Sequence, residues 1–277
     1  MMTAENLMHF LEHIRIVDTE TTGTDTDVCE MIEFAIGLYS DSHEEPWVMS
    51  GVELIKPASP IPPEASATNN ISNRMVADKP TIAEAAARIE NLLDLHKEPV
   101  FVAHHAAFDM KVMANSLKPY VKPEVYHYIL DTKNWICTFR LARHILAIDP
   151  SDQMKYNLAF LRYFLDLDLP DDLVAHRAEA DVKTCGALLL NLLEKGIESG
   201  KLDVNVDFVE QLVDLSQQPI TVNVFPFGKH KGMKLADVPT DYYSWALKNM
   251  DSLQEGNPRY DSDLAASIVK VLEVRLA

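Results

Sequence analysis

Two acidic side chains stand two positions apart near the start of the chain. Asp18 and Glu20 follow a β-branched run at residues 14–17, which predicts a strand. Because residues two apart in a strand point to the same face, the two carboxylates lie side by side and repel each other unless a cation lies between them. Hard oxygen ligands of this kind suit Mg²⁺ or Mn²⁺. A lone Asp-x-Glu more often marks a strand that ends in a polar turn, so the pair alone predicts no site.

A third acid stands at the junction of a strand and a helix. Asp109 follows His104 and His105, and the pattern predicts a strand at residues 99–103 and a helix at residues 107–117. In the first turn of a helix the dipole favours an anion. Taken alone, Asp109 is more simply explained as an ordinary helix-start acid, and the two histidines as loop residues.

A histidine and a fourth acid flank the start of a long helix predicted at residues 178–198. His176 lies just ahead of this helix, and Asp181 lies in its early turns. The ordinary pKa of histidine, about 6.5, lets the imidazole take a proton near neutral pH. Beside a reactive water, His176 would act as a general base, whereas on its own it fits a helix cap or a surface group.

The order of these motifs resembles the DEDD exonuclease superfamily, in the subclass that carries a histidine in its third motif. Further matching segments are residues 52–57, 61–65, 71–75, 135–138 and 155–158. Two positions depart from the family's usual residues. His105 stands where Asn is usual, and Asn69 or Asn70 stands where a His often precedes Ile-Thr. The resemblance covers residues 14–193.

The resemblance implies an RNase H-like fold and a 3′→5′ exonuclease that releases 5′-mononucleotides. It also implies two divalent cations, Mg²⁺ or Mn²⁺, and a general base that activates the attacking water. The implied catalytic residues are the metal ligands Asp18, Glu20, Asp109 and Asp181 and the base His176. The residues expected to contact the substrate are Thr21, Thr22, Ile71, His105 and Phe108. Core packing explains Phe108 equally well.

The elements that must position these residues indicate an α/β domain with a mixed sheet. Its predicted strands are residues 14–17, 32–39, 47–55, 99–103 and 135–137, of which the first three form an antiparallel meander. The predicted helices are residues 82–93, 107–117, 138–146, 156–165, 178–198 and 207–215. Residues 1–13 form a short lead-in compatible with a helix, and the prolines of residues 56–70 predict a loop.

The domain prediction is a main domain at residues 14–215 and a small α+β C-terminal segment at residues 216–277. The predicted elements of this segment are a linker at 216–219, a strand at 221–225, a basic turn at 227–232 and helices at 241–250 and 263–276. The segment resembles the C-terminal segment of one bacterial branch of the superfamily. Its cations either bind nucleic-acid phosphates or lie on a solvated hairpin, and they are Lys229, His230, Lys231 and Lys234.

The chain is strongly acidic, with 25 Lys and Arg against 42 Asp and Glu and a formal net charge of −17. This balance is unusual for a nucleic-acid enzyme, because phosphate backbones attract basic surfaces. Residues 219–277 hold seven cationic and seven acidic side chains, so the whole excess lies in residues 1–218. Metal-binding carboxylates explain part of the excess, and solubility is an equally good explanation of its main cause.

Length and composition fit one main domain with a smaller appendage, since the chain has 277 residues of which 47% are apolar. The three cysteines are widely spaced, so we expect neither a disulfide framework nor a zinc site. Free cysteines fit a reducing compartment. We also expect neither a signal peptide nor a membrane span. These expectations together describe a cytoplasmic protein.

The expected partner is DNA, with either single-stranded 3′ ends or duplex ends, in repair or recombination. RNA stays open as a substrate, because nothing in the sequence reads a 2′-hydroxyl. Within the same chemistry, the alternatives are a proofreading subunit of a DNA polymerase and an RNA-trimming exonuclease. A catalytically inactive nucleic-acid-binding module on the same fold is a remoter alternative. The sequence does not define the oligomeric state.

Overall fold

The structure, a computed structural model, describes residues 4–40, 42, 46–146, 148, 153–170, 173, 176–257 and 259–276. The chain forms two compact units. The N-terminal unit comprises Met1–Leu146 and Asn157–Ser216, and the C-terminal unit comprises Ala147–Tyr156 and Gln217–Ala277.

The N-terminal unit is built on a mixed sheet. Its strands are β1 (Ile14–Thr21), β2 (Met31–Tyr39), β3 (Trp47–Leu54), β4 (Val100–Ala103) and β5 (Trp135–Cys137). They lie in the order β3-β2-β1-β4-β5. β1, β2 and β3 are antiparallel neighbours, and β4 and β5 add in parallel on the other side of β1. The predicted five-stranded mixed sheet and its initial meander are confirmed.

Helices accompany this sheet along the whole N-terminal unit. They are α1 (Ala4–His13), α2 (Pro63–Asn69), α3 (Asn73–Val76), α4 (Ile82–Leu93), α5 (Ala106–Leu117), α6 (Pro123–Leu130), α7 (Thr138–Ile145), α8 (Leu158–Phe164), α9 (Ala178–Glu198) and α10 (Phe208–Gln217). Each predicted helix of this unit has a counterpart here. The lead-in is helical from Ala4 onward, and residues 1–3 of that prediction lie outside the described residues.

Three helices differ from the sequence-based prediction. The loop predicted at residues 56–70 is wrong in its second half, which forms α2, and α3 and α6 have no predicted counterpart. Proline is tolerated at the first helical position, because the N–H that it lacks has no intrahelical partner there. Pro63 and Pro123 both stand at such a position. Pro63, in the stretch predicted as a loop, therefore marks the start of α2, as Pro123 marks the start of α6.

One face of the sheet packs on a hydrophobic core formed with the helices that follow β3 and β4. Val17 of β1 and its register partner Ile36 of β2 belong to one buried cluster with residues of α4, α5 and α6. Because side chains alternate along a strand, Val17 and every second residue point to this face. Asp18 and Glu20 therefore point to the opposite face.

Glycines let α9 approach that opposite face closely. A Cβ added at Gly37 of β2 would lie 2.7 Å from Cγ1 of Val182 on α9. A Cβ added at Gly186 of α9 would lie 2.5 Å from the indole nitrogen of Trp47 on β3. Neither contact leaves room for a larger side chain, so the two glycines determine how near α9 lies to the sheet.

The C-terminal unit has a small core of its own. Its helices are α11 (Thr240–Asn249) and α12 (Ser262–Leu276), close to the predicted ranges. Its buried hydrophobic residues are Phe225, Leu235, Val238, Tyr243, Ala246, Leu253, Leu264, Ala265 and Ile268. The Tyr243 hydroxyl donates a hydrogen bond of 2.6 Å to the carbonyl of Leu235.

The strand predicted at residues 221–225 is wrong. Only an isolated bridge between Val224 and Lys234 forms there. The N–H of Val222 donates to the Ser267 hydroxyl on α12, at 2.8 Å, instead of joining a ladder. The pairing does not extend beyond this bridge, because the chain enters a short 3₁₀ turn at Leu235–Asp237 directly after Lys234.

Each helix in the described part of the chain is too short or too polar to cross a lipid bilayer.

Candidate active site

The middle strand of the sheet presents two carboxylates to the face that packs against α9. Asp18 and Glu20 lie inside β1, which extends beyond the predicted residues 14–17. Their register partners on β2 are Ala35 and Glu33. Because both acids belong to a hydrogen-bonded ladder, their backbone is held more firmly than a polar turn would hold it.

Helix α9 brings a third carboxylate to the same place. Asp181 lies in the first turn of α9. Carboxylate oxygens of Asp18, Glu20 and Asp181 all lie within 4.8 Å of one another, and each side chain is partly buried. Acids that are distant in the sequence therefore converge at one point of the fold.

Asp109 is held at the open edge of β1. β4 pairs only with residues 14–16 of β1, so Thr19 meets the start of α5 where a strand would otherwise continue. Asp109 Oδ1 accepts hydrogen bonds from the Thr19 N–H at 2.9 Å and from the Thr19 hydroxyl at 2.8 Å. Asp109 is not one of the three mutually close acids, but its charge raises the pKa of Asp18.

Burial and like charge make the ionised forms of the two β1 acids unfavourable. Burial raises the pKa of Asp18 well above its usual range, and the charges of Asp109, Asp181, Glu20 and Glu33 raise it further. Burial, followed by the charge of Asp181, raises the pKa of Glu20 to about 8. These two carboxyl groups therefore favour a bound proton or a nearby cation.

The other two acids are shifted less, because each accepts hydrogen bonds. Burial raises the pKa of Asp109 to about 7, against the opposing effect of the bonds from Thr19. Burial raises the pKa of Asp181 to about 6, opposed by the charge of His176 and by a hydrogen bond from the His176 backbone N–H. Hard carboxylate oxygens crowded in this way, with too little positive charge near them, fit divalent cations.

The predicted base stands at the entrance to α9. His176 is exposed and has a positive φ of 61°, a backbone conformation in which histidine is enriched among non-glycine residues. Its backbone N–H donates a hydrogen bond to the Asp181 carboxylate, so the backbone of His176 lies next to the acidic cluster. The structure thus brings His176 next to Asp181, one of the three mutually close acids.

An ion pair that the sequence analysis missed holds this entrance in place. Glu33, fully buried on β2, accepts bonds from Arg177 Nη2 at 2.6 Å and Nε at 3.2 Å. The same carboxylate accepts the N–H of Ala178 at 3.0 Å. A glutamate inside the apolar run of residues 31–36 was the available signal. Glu33 ties the first residues of α9 to the strand that pairs with β1.

Two of the predicted substrate contacts shape the turn after β1. The Thr21 hydroxyl donates to the carbonyl of Gly23 at 2.5 Å. The Thr22 N–H donates to the carbonyl of Glu30, and the Glu30 N–H donates to the Thr22 hydroxyl, each at 2.9 Å. Both hydroxyls therefore have local partners.

Ile71, in contrast, lies in the core. Its side chain is fully buried in a small cluster with Ile32, Ile61 and Val76, which leaves it no surface for a base or sugar. Asn69 explains why the backbone lies there. Its side chain accepts the Ile71 N–H at 3.0 Å and donates to the carbonyl of Thr21 at 3.2 Å, so it joins this segment to the end of β1.

The last two predicted contacts flank the start of α5. His105 is exposed, has a φ of 69°, and stacks on Phe139 with ring centres 4.1 Å apart. Phe108 is partly buried and packs against the large core cluster. The neighbouring His104 has its Nδ1 3.0 Å from the Thr138 hydroxyl.

A mixed sheet of this order, with crowded carboxylates on its middle strand, defines an RNase H-like nuclease that uses divalent metal ions. The chain belongs to the exonuclease family: residues 16–189 match the RNase T family model, whose description is Exonuclease. Exodeoxyribonuclease 10 of Escherichia coli (strain K12) is 30% identical over 245 residues, which cover 87% of this chain and 93% of the relative. The predicted likeness to bacterial exonuclease X, a DEDD-type 3′→5′ exonuclease, is confirmed.

Two further comparisons agree. A solved structure of exonuclease X in complex with 5′ overhanging duplex DNA has 28% identity and a TM-score of 0.50, and covers 73% of this chain and 99% of that chain. The DNA polymerase III subunit epsilon of Treponema pallidum (strain Nichols) is 26% identical over 184 residues, which cover 66% of this chain and 78% of the relative.

Proposed function

We propose that the protein is a 3′→5′ exodeoxyribonuclease that hydrolyses the terminal phosphodiester of DNA and releases 5′-mononucleotides in DNA repair or recombination. The observation that carries this proposal is the convergence of the Asp18, Glu20 and Asp181 oxygens within 4.8 Å. The names of the relatives support DNA as the substrate. A DNA enzyme with three free cysteines fits the cytoplasm, where thiols stay reduced.

In this proposal four carboxylates hold two divalent cations, Mg²⁺ or Mn²⁺. Asp18, Glu20 and Asp181 are ligands through the oxygens that face one another, and Asp109 is a ligand through the oxygen that Thr19 does not occupy. Two such cations would stabilise the charge on the attacking and leaving oxygens. Four carboxylates and two dications sum to no net charge, which admits a phosphodiester.

His176 is the general base in this mechanism. Its exposure lets the imidazole reach a water at the terminal phosphate, and its charge interacts with Asp181. It takes a proton from the attacking water as the water oxygen bonds to phosphorus. The bond between phosphorus and the 3′-oxygen breaks, and the leaving 3′-oxygen takes a proton from solvent. The pair between Glu33 and Arg177 keeps the histidine backbone in place while the proton moves.

We assign the terminal nucleotide to the surface between the β1 turn and the start of α5. Thr21 and Thr22 shape the turn that faces the 3′ end, because their hydroxyls, the Thr21 carbonyl and the Thr22 N–H already bond within the protein. His105, stacked on Phe139, and Phe108 offer ring surfaces to the terminal base or sugar. Ile71 has no part in this assignment because it is fully buried.

The test follows degradation of DNA labelled at its 5′ end, with Mg²⁺ or Mn²⁺ and with a chelator. A ladder that shortens from the 3′ end one nucleotide at a time, only with the cation, supports the proposal. Asp18→Ala should abolish the ladder and keep the fold, as judged by circular dichroism. Rapid loss of the 5′ label or an internal cut would contradict it. A matched RNA strand, degraded faster than DNA, would show an RNA-trimming enzyme.

A further inference from the structure

The C-terminal unit carries an exposed aromatic surface that the active site does not use. Tyr242 and Trp245 are three residues apart on α11, hence on one helix face, and their ring centres lie 5.5 Å apart with a 37° tilt. We call this pair the aromatic ledge. Trp245 is 50% exposed, whereas Trp47 and Trp135 are buried. A half-exposed indole presents a flat apolar face on which another ring can stack.

The ledge is held rigidly by the turn beneath it. The His230 ring meets the Tyr242 ring edge-on, with centres 4.3 Å apart, and Phe225 of the core lies 5.7 Å from the same ring. Gly228 has a positive φ of 67°, and a Cβ there would lie 3.8 Å from the Tyr242 hydroxyl. The sequence motif at residues 227–232 therefore folds as a platform for Tyr242.

Lysines lie on the turn and the helix that carry the ledge, although the chain as a whole is acidic. Lys229 and Lys231 are exposed on the turn that supports Tyr242, and Lys248 is exposed three residues after Trp245 on the same helix face. The acid nearest in sequence, Asp241, accepts the N–H of Tyr242 at 3.0 Å. Flat rings flanked by lysines are the surface on which single-stranded nucleic acids stack their bases and place their phosphates.

We propose that the aromatic ledge, with Lys229, Lys231 and Lys248, is a second binding surface for a single-stranded polynucleotide. A base stacks on Trp245, and the lysines bind the adjoining phosphates. The inference rests on the proposed function, because the strand held here is the strand being degraded. A second contact on the same chain raises the effective concentration of a long substrate. It therefore lowers the KM for long strands and leaves kcat unchanged.

The first test is a titration of the full chain with oligo-dT in a chelator, followed by tryptophan fluorescence. Because Trp47 and Trp135 are buried, a saturable change in emission reports Trp245. We expect Trp245→Ala to bind about five- to a hundred-fold more weakly. Trp245→Phe should lose the signal but keep most of the affinity measured by anisotropy of a labelled strand. Tyr260→Ala, which removes an aromatic of the same unit that is 38% exposed, should bind like the unchanged protein.

The second test measures the lysines through the salt dependence of binding. The triple variant Lys229→Gln, Lys231→Gln and Lys248→Gln should lower the slope of log affinity against log salt by about 2, since each phosphate contact on a single strand contributes about 0.7. Normal affinity and slope in both this variant and Trp245→Ala would overturn the proposal, and so would a ledge that binds neither oligo-dT nor oligo-rU. Binding of either polymer through Trp245 supports it.

Activity assays separate this inference from the proposed function. Trp245→Ala should raise the KM for a long strand about five-fold or more while hydrolysing a trinucleotide at the normal rate. If Trp245→Ala and the unchanged protein had the same KM for the long strand, the role of the ledge would be refuted and the proposed function would stand. A chain that hydrolyses no DNA with Mg²⁺ or Mn²⁺ would refute the proposed function, while the titration in chelator would still decide whether the ledge binds.

Discussion

At the scale of single residues, the active site is a place where negative charge is concentrated before any cation arrives. Asp18 and Glu20 stand on one face of β1, and burial and repulsion raise the pKa of both. Two hydrogen bonds from Thr19 stabilise the Asp109 charge, and His176 stabilises that of Asp181. The β1 pair thus carries most of the strain that a cation would relieve.

This strain predicts how the stability of the metal-free protein depends on pH. The pKa of Glu20 in the folded protein is about 8, against an ordinary 4.5. A carboxyl group with a raised pKa stabilises the fold fully below its ordinary pKa, and this stability is lost as the pH rises through the folded value. In chelator, the melting temperature should therefore decrease as the pH is raised from 4.5 to 8.

Glu20→Gln tests that explanation, because it removes one charge and keeps the shape. In chelator at pH 8 the variant should melt higher, by about 2–4 °C for each kcal/mol of repulsion removed. At pH 4.5 the two proteins should melt alike. A saturating divalent cation should reverse the order at pH 8, since the unchanged protein then gains a ligand interaction. Equal melting at both pH values in chelator would contradict the prediction.

His176 should matter for rate and little for metal affinity. His176→Ala should lower kcat by about 10²–10⁴-fold, the usual effect of removing a general base. Calorimetric titration with Mn²⁺ should give nearly unchanged affinity, because the carboxylates remain. A variant with near-normal turnover would refute the base assignment, and one that no longer binds Mn²⁺ would make His176 a metal ligand.

Sequence reasoning predicted some of these residues and missed others for a physical reason. Strand alternation is a local rule, so it placed Asp18 and Glu20 on one face. The approach of Asp181 depends on tertiary packing, and only the family resemblance indicated it. Thr19 and Glu33 acquire their roles from partners 90 and 144 residues away, and no local pattern encodes such a pairing.

At the scale of elements, the buried ion pair between β2 and α9 sets the position of the histidine. Glu33 is fully buried and has three hydrogen bonds from Arg177 and Ala178. Breaking a buried pair by removing one partner costs about 3–5 kcal/mol. Because the Arg177 side chain is 33% exposed, solvent screening reduces this, and we expect about 2–3 kcal/mol.

Glu33→Ala should therefore lower the free energy of unfolding by this amount in urea, and lower kcat more than it changes KM. Glu33→Gln, which can still accept hydrogen bonds, should recover part of the stability and part of kcat. The matched control is Glu53→Ala, which removes an exposed pair with Arg88 and should cost less than about 1 kcal/mol. Equal losses in the two alanine variants would show that the Glu33 pair has no special role.

The close packing of α9 gives a second prediction at this scale. Gly186→Ala places a methyl group 2.5 Å from the Trp47 indole, and overpacking of this kind costs about 1–3 kcal/mol. The better helix propensity of alanine offsets about 1 kcal/mol. We expect a net decrease in the free energy of unfolding measured in urea. We also expect a lower kcat, because Asp181 moves with α9. Gly23→Ala, with nothing within 4 Å, is the control for stability.

The elements that sequence analysis misjudged share one cause. Hydrophobic periodicity predicted the strands and long helices well, because burial of one face decides them. It failed at α2 and α6, where Pro63 and Pro123 occupy the first helical position, and at residues 221–225, where the partner of Val222 is the Ser267 side chain. In each place a single local or tertiary contact outweighs the average tendency of the segment.

At the scale of the whole molecule, charge is divided between two tasks. The net charge of −17 resides in residues 1–218, and residues 219–277 are neutral and carry exposed lysines. A long-range negative field opposes the approach of a polyanion. The attraction for nucleic-acid phosphates must therefore come from divalent cations at the carboxylate cluster and from local lysines, because the overall charge is repulsive.

This division predicts that divalent cations control the affinity for a DNA end, beyond their role in hydrolysis. A short oligonucleotide with nuclease-resistant phosphorothioate linkages should bind more tightly with Mg²⁺ than with K⁺ at the same ionic strength, because in the proposed function Mg²⁺ would be held by the carboxylates and would neutralise their charge. We expect a gain of about ten-fold or more, equivalent to about 1.4 kcal/mol. Asp18→Ala should lose most of this gain, and Trp245→Ala should keep it. Equal affinity in the two salts would mean that the acidic cluster does not hold the cation that meets the phosphate.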